Sequence, residues 1–168
     1  MMNASKAHSQ KRVFFGFKVI TDWPTELPRG RLVPEACRHV TFAFLGEVAW
    51  EKLKPQLNDI PLPPSSTSSA RFTGTLFLPP DRPRVVAWEL QFSDARILSY
   101  QQRLSLTLQG LGYEREERPF LPHMTIARAP FVPEEWAAFP LPEKVVKLEG
   151  LHLFESLGNM QYQSLWHT

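Results

Sequence analysis

Cysteine is almost absent from this chain: Cys37 is the one thiol in 168 residues. A lone cysteine cannot close an intramolecular disulfide, which excludes a disulfide-stapled scaffold and points to a reducing, cytoplasmic setting. An excess of one charge is missing too. Lys and Arg number 19 against 17 Asp and Glu, for a net charge of +2. A long duplex-binding surface brings a strong basic excess, so any nucleic-acid contact is expected at an end or at a few phosphates. No apolar run approaches the roughly 20 residues that span a bilayer, and no membrane partner is expected. Met1 to Gln10 is polar with no apolar centre, so it is read as a disordered tail, not as a signal peptide or anchor.

The length suits one buried core and is short for two, so residues 11–168 are expected to form a single domain, as a monomer. Within it, Lys11 to Ile20 is a short apolar run that reads as a buried strand. Thr21 to Glu35 holds Pro24, Pro28 and Pro34, which leave no room for a regular helix. Gly46 is expected to end the next extended run. Trp50, Leu53, Leu57 and Ile60 then share a helical face, with Pro55 marking a start or kink. Pro61 to Ser69 reads as a mobile connector, and Arg71 to Leu78 with Arg84 to Phe92 as an antiparallel hairpin. Ser93 or Asp94 caps a helix carrying Ile97, Gln101, Leu104, Leu108 and Leu111. Pro133 opens one helical turn. Val145 to Leu148 and Leu151 to Phe154 read as two last strands.

Against this background one pattern occurs twice, at His39-Val40-Thr41-Phe42 and at His123-Met124-Thr125-Ile126. Side chains alternate along a strand, so each copy buries its apolar pair and shows His and Thr on the other face. A single such His is ordinarily structural, satisfied by one hydrogen bond. Two copies, set face to face, would hold two imidazoles and two hydroxyls around one small volume. That arrangement suits acid–base chemistry on an anionic group.

The double motif resembles the signature of the 2H phosphoesterase superfamily, and most of all its bacterial RNA 2′,3′-cyclic phosphodiesterases, also called 2′-5′ RNA ligases. The likeness is carried by Arg12 to Phe17, by His39 to Glu47, by Arg118 to Arg128, and by Leu151 to Ser156 with Tyr162, Leu165 and Trp166. It implies an α+β fold of two lobes, with two antiparallel sheets flanking a central cleft and helices outside. It also implies metal-independent opening of 2′,3′-cyclic phosphates at RNA 3′ ends to a 2′-phosphate, and reverse 2′-5′ ligation. Partners would be RNA ends bearing the cyclic phosphate, such as tRNA fragments, with no cofactor. In the family the first-motif His is the proton donor and the second the acceptor, roles that pass to His39 and His123; the sequence itself does not order them.

Thr41 and Thr125 are then candidates to donate hydrogen bonds to the non-bridging phosphate oxygens. Arg128 is a candidate phosphate clamp, because a guanidinium binds phosphate through a fork. Strict alternation from His123 sends Arg128 to the wrong face, so it needs a bulge, a twist or the strand's end to reach the site. Cys37 and His39 lack the further ligands of a metal site. His8, His152 and His167 are read as incidental, and Phe120, Tyr113 and Trp166 as packing in preference to base stacking. Two alternatives stay open: a non-catalytic RNA-end binding module on the same fold, and a phosphodiesterase of small cyclic nucleotides.

Overall fold

The computed structural model describes residues 10–65 and 67–168. Met1 to Ser9 of the expected tail lie outside the described residues, while Gln10 already belongs to the first strand. The strands are β1 (Gln10–Ile20), β2 (Arg31–Leu32), β3 (His39–Ala49), β4 (Thr67–Leu78), β5 (Val85–Phe92), β6 (His123–Arg128), β7 (Val146–Gly158) and β8 (Gln161–His167). The helices are α1 (Trp50–Gln56), α2 (Arg96–Gly110) and α3 (Pro133–Ala138).

Six strands close on themselves in the order β1-β3-β6-β5-β4-β7 and back to β1, every pairing antiparallel. β8 extends β7, and the two-residue β2 lies on β6. The expected pair of separate sheets is therefore one connected path. Two joints make it so: Thr67 to Ala70 of β4 pair with Val146 to Glu149 of β7, and Val40 of β3 pairs with Met124 of β6. That second joint corrects the face-to-face picture, since it sets the two motif strands side by side.

β1 is central because both of its edges are paired and Val13, Phe15, Phe17 and Val19 are all buried. It also needs Gly16. A Cβ there would stand 2.5 Å from the Val40 carbonyl oxygen, so only glycine lets β1 approach the first motif strand this closely. The Phe17 ring meets the Phe42 ring edge-on at 4.7 Å. α2 lies against β3, buries Ile97, Tyr100, Leu104 and Leu108, and sends Gln101 Nε2 to donate to the Phe42 carbonyl at 3.0 Å. The core therefore grips the apolar face of β3 and leaves His39 and Thr41 on the other.

Several local expectations are corrected. Gly46 does not end β3: with φ of +75° it sits at a register shift where Val13 faces Gly46 and Phe14 faces Phe44, and the strand runs on to Ala49. The last two strands are one, β7, which absorbs Gly150 as a shift between Phe17–Leu151 and Lys18–Glu149. β4 also takes in Thr67 to Ser69 of the expected connector. Other readings hold. No α-helix forms between β1 and β3, where a 3₁₀ turn at Glu35–Cys37 leads into the motif. Pro55, by contrast, does not start the helix: it lies near the end of seven residues that give way to a 3₁₀ turn. The N-cap of α2 is Ala95 with no side-chain cap bond, in place of the expected Ser93 or Asp94, although Asp94 accepts the Arg96 backbone N–H at 2.9 Å; α3 opens on Pro133 as expected.

Candidate active site

The expected alternation is present in both motifs. His39, Thr41, His123 and Thr125 are half-buried, whereas Val40, Phe42, Met124 and Ile126 are buried. With Val40 opposite Met124, the antiparallel register turns His39 toward Thr125 and Thr41 toward His123. Two imidazoles and two hydroxyls thus surround one apolar cross-strand pair.

Both histidines are held in the same way. His39 Nδ1 lies 2.8 Å from the Cys37 carbonyl oxygen, and His123 Nδ1 lies 2.7 Å from that of Leu121. A carbonyl oxygen only accepts, so each Nδ1 carries the hydrogen and each neutral ring keeps an unprotonated Nε2 for a substrate. The bonded carbonyl stands two residues before its histidine in each case. This shared anchor is a backbone feature that no side-chain pattern announces.

Arg128 returns to the histidine face through a bulge. Val86 pairs with Ala127 but Ala87 pairs with Thr125, which leaves Ile126 as an extra residue on β6. Ile126 and Ala127 are consequently both buried, and the parity beyond them is reversed. The Ile126 carbonyl is not orphaned, because Val33 N–H donates to it at 2.9 Å. Arg128 is exposed, and its charge is felt at His39 together with that of His123.

His39 sits in an aromatic cage that the sequence reading did not foresee. Phe14 lies 4.7 Å from it between ring centroids, Tyr162 4.8 Å and Phe154 5.7 Å. Burial lowers its pKa to about 4; the Cys37 hydrogen bond opposes that shift, and the charges of His123 and Arg128 add to it. In the free protein at neutral pH, His39 is an uncharged imidazole. Phe14, Gly16 and Lys18 share a face of β1 by strict alternation, the only signal that could have placed Phe14 beside His39.

On the opposite face, Arg38 braces the segment that leads into the motif. It is buried, its guanidinium lies over Trp23 at 4.5 Å, and its Nε donates to the Val33 carbonyl at 3.0 Å. Phe120 packs on Phe42 and Phe92, and Trp166 on Phe15, while the Tyr113 hydroxyl donates to Gln56 Oε1 at 2.6 Å. Packing is therefore where these three aromatics belong. Among the described residues no group of three His, Cys, Asp or Glu converges as a metal ligand set, and no helix is long and apolar enough to cross a membrane.

The fold has clear relatives among solved structures. The crystal structure of E. coli LigT in its apo form superposes with a TM-score of 0.70 at 22% identity, over 95% of this chain and 97% of that one. The fold class is thus set: an antiparallel fold of the LigT kind, here with a His-x-Thr motif on each of two adjoining strands. In sequence, the chain is 29% identical to an RNA 2′,3′-cyclic phosphodiesterase of Geobacillus stearothermophilus over 88% of its own length and 48% of that protein. It is 32% identical to one from Methanocaldococcus jannaschii over 61% of its own length and 57% of that protein. The chain therefore spans about half the length of the curated relatives it matches, and no family model matches it. Both of these sequence relatives are named RNA 2′,3′-cyclic phosphodiesterase, the activity of the family that the two motifs resemble.

Proposed function

We propose that this chain hydrolyses 2′,3′-cyclic phosphates at RNA 3′ ends without a metal ion. The observation that carries the reading is the pair of Nδ1-anchored histidines on adjoining strands, each with Nε2 free and a threonine hydroxyl beside it. Opening the ring requires water to lose a proton as it attacks phosphorus while a ribose oxygen gains one. One neutral and one protonated imidazole, on either side of the phosphate, perform both transfers. Thr41 and Thr125 donate to the non-bridging oxygens, where charge accumulates in the five-coordinate transition state, and Arg128 clamps the same group through its fork.

Family likeness makes His39 the donor and His123 the acceptor. Burial keeps His39 neutral in the free protein, so the substrate's own negative charge must supply what favours its protonated form. Substrate binding near neutral pH is then accompanied by proton uptake. Run backwards, the same geometry joins a 5′-hydroxyl to the cyclic phosphate as a 2′-5′ linkage.

Phosphorus NMR of the products from an oligonucleotide ending in a cyclic phosphate tests the proposal. In-line attack expels the ribose oxygen opposite the water, and one fixed ribose orientation permits one such line. A single 2′-phosphate is expected. A 3′-phosphate would overturn the donor and acceptor assignment, and no opening of the ring would favour the non-catalytic RNA-end module.

A further inference from the structure

Beside His39, on the side away from β6, lies a pocket of about 30 Å³. At some 10–15 Å³ for each water-sized group, it has room for about two such groups, or for two oxygens of a phosphate. Lys18, Arg38, His39, Tyr162 and Ser164 are polar residues that line it, Arg38 being already engaged with Val33 and Trp23, and no carboxylate lines it. Lys18 is half-buried, stands opposite His39 across the β1–β3 ladder, and forms no ion pair among the described residues. Its neighbour across the β1–β7 ladder is the exposed Glu149, which forms no ion pair with it, so the half-buried ammonium keeps donors for an anion in the pocket.

His152, read from the sequence as incidental, stands behind Ser164 of that lining. It faces Gly16 across the β1–β7 ladder, and its ring stacks on Phe154 at 5.0 Å and lies 5.4 Å from the His167 ring. Its Nδ1 lies 2.8 Å from Ser164 Oγ, whose own hydrogen goes to the Trp166 carbonyl over a long 3.3 Å. The Ser164 hydroxyl is thus held by His152 with its hydrogen weakly engaged. Burial, then the positive charges of Lys18 and His167, lower the His152 pKa to about 4, with Glu149 the one acidic group that opposes them.

We propose that Lys18, together with the His152-held Ser164 hydroxyl, binds the 5′-phosphate of the terminal nucleotide, the diester that links the cyclic end to the rest of the RNA. The proposal rests on the phosphodiesterase reading above. In an RNA end, this phosphate is the anion next to the cyclic one, separated from it by a single ribose. Lys18 is likewise one strand, about 4.8 Å, from the strand that carries His39. The pocket therefore selects RNA ends over free nucleoside cyclic phosphates.

Three substrates test it: a nucleoside 2′,3′-cyclic phosphate with a free 5′-hydroxyl, the same compound with a 5′-phosphate, and a dinucleotide ending in the cyclic phosphate. Turnover and equilibrium binding are measured for each on the full chain, in wild type, Lys18→Ala and Ser164→Ala. The 5′-phosphate and the dinucleotide should raise kcat/KM and affinity about tenfold over the free 5′-hydroxyl, and Lys18→Ala should remove most of that gain. A gain given by the dinucleotide but not by the 5′-phosphate would show that the second nucleoside is read, and would overturn the proposal. So would an equal loss on all three substrates in Lys18→Ala. The free 5′-hydroxyl compound reports the phosphodiesterase reading by itself. If nothing is hydrolysed, a preference for the 5′-phosphate in binding that Lys18→Ala abolishes still upholds the pocket, and its absence refutes it.

Discussion

Lowering the pH should unfold this protein in part through His39. Burial in the cage of Phe14, Tyr162 and Phe154 takes the imidazole from its ordinary 6.5 to about 4 in the folded state. Between those values the unfolded chain binds a proton that the folded chain refuses, so stability falls as pH falls. The contribution is complete above about pH 7, is lost as pH drops through 6.5 toward 4, and declines no further below that. At pH 5 the deficit covers some 1.5 pH units at 1.36 kcal/mol each, or about 2 kcal/mol. Urea denaturation of wild type and His39→Asn at pH 7.5, 6 and 5 isolates it, because Asn does not titrate and can still donate to the Cys37 carbonyl. His152 has the same sign of shift but is common to both proteins and cancels. Wild type should lose about 2 kcal/mol more than the variant between pH 7.5 and pH 5. Parallel losses would refute the cage as the cause of a neutral His39.

Gly16→Ala should cost roughly 1–3 kcal/mol and lower Tm by several degrees in a scanning calorimeter, because its Cβ would meet the Val40 carbonyl oxygen at 2.5 Å. An unchanged Tm would mean that the approach of β1 to β3 is not tight. Arg128→Lys should lower kcat/KM by about tenfold or more, since a point charge replaces a fork, while stability stays within about 0.5 kcal/mol at this exposed position. Full activity in that variant would remove Arg128 from the site. Exhaustive chelation should leave the rate intact, and a loss restored by one divalent ion would contradict the metal-free proposal.

How much of this was legible in the sequence differs from residue to residue. Alternation around His39 and His123 depends only on strand geometry, so burial of Val40 and Met124 and the shared face of His and Thr could be read directly. Alternation also fails where the backbone departs from it. The bulge at Ile126 reverses the parity that Arg128 needs, and Gly46 and Gly150 carry strands through points that read as breaks. Nothing in residue type distinguishes a glycine that ends a strand from one that shifts its register. Which strands adjoin is a long-range matter as well. The Val40–Met124 and Thr67–Glu149 pairings turn two imagined sheets into one path, and neither leaves a local trace. The cage around His39 draws Phe14, Phe154 and Tyr162 from β1, β7 and β8, a convergence visible only once β1 is known to pair on both edges.

The central claim is that His39 and His123 exchange protons with one phosphate in a single step. It is tested most directly by single-turnover opening of a cyclic-phosphate-ended RNA in His39→Ala, in His123→Ala and in the double variant, with circular dichroism confirming the fold. Each single substitution should slow opening by a factor of about 10² to 10⁴, and the double variant should be little slower than the worse single one, because the two rings act as a unit. Wild-type rates in either single variant would contradict the account.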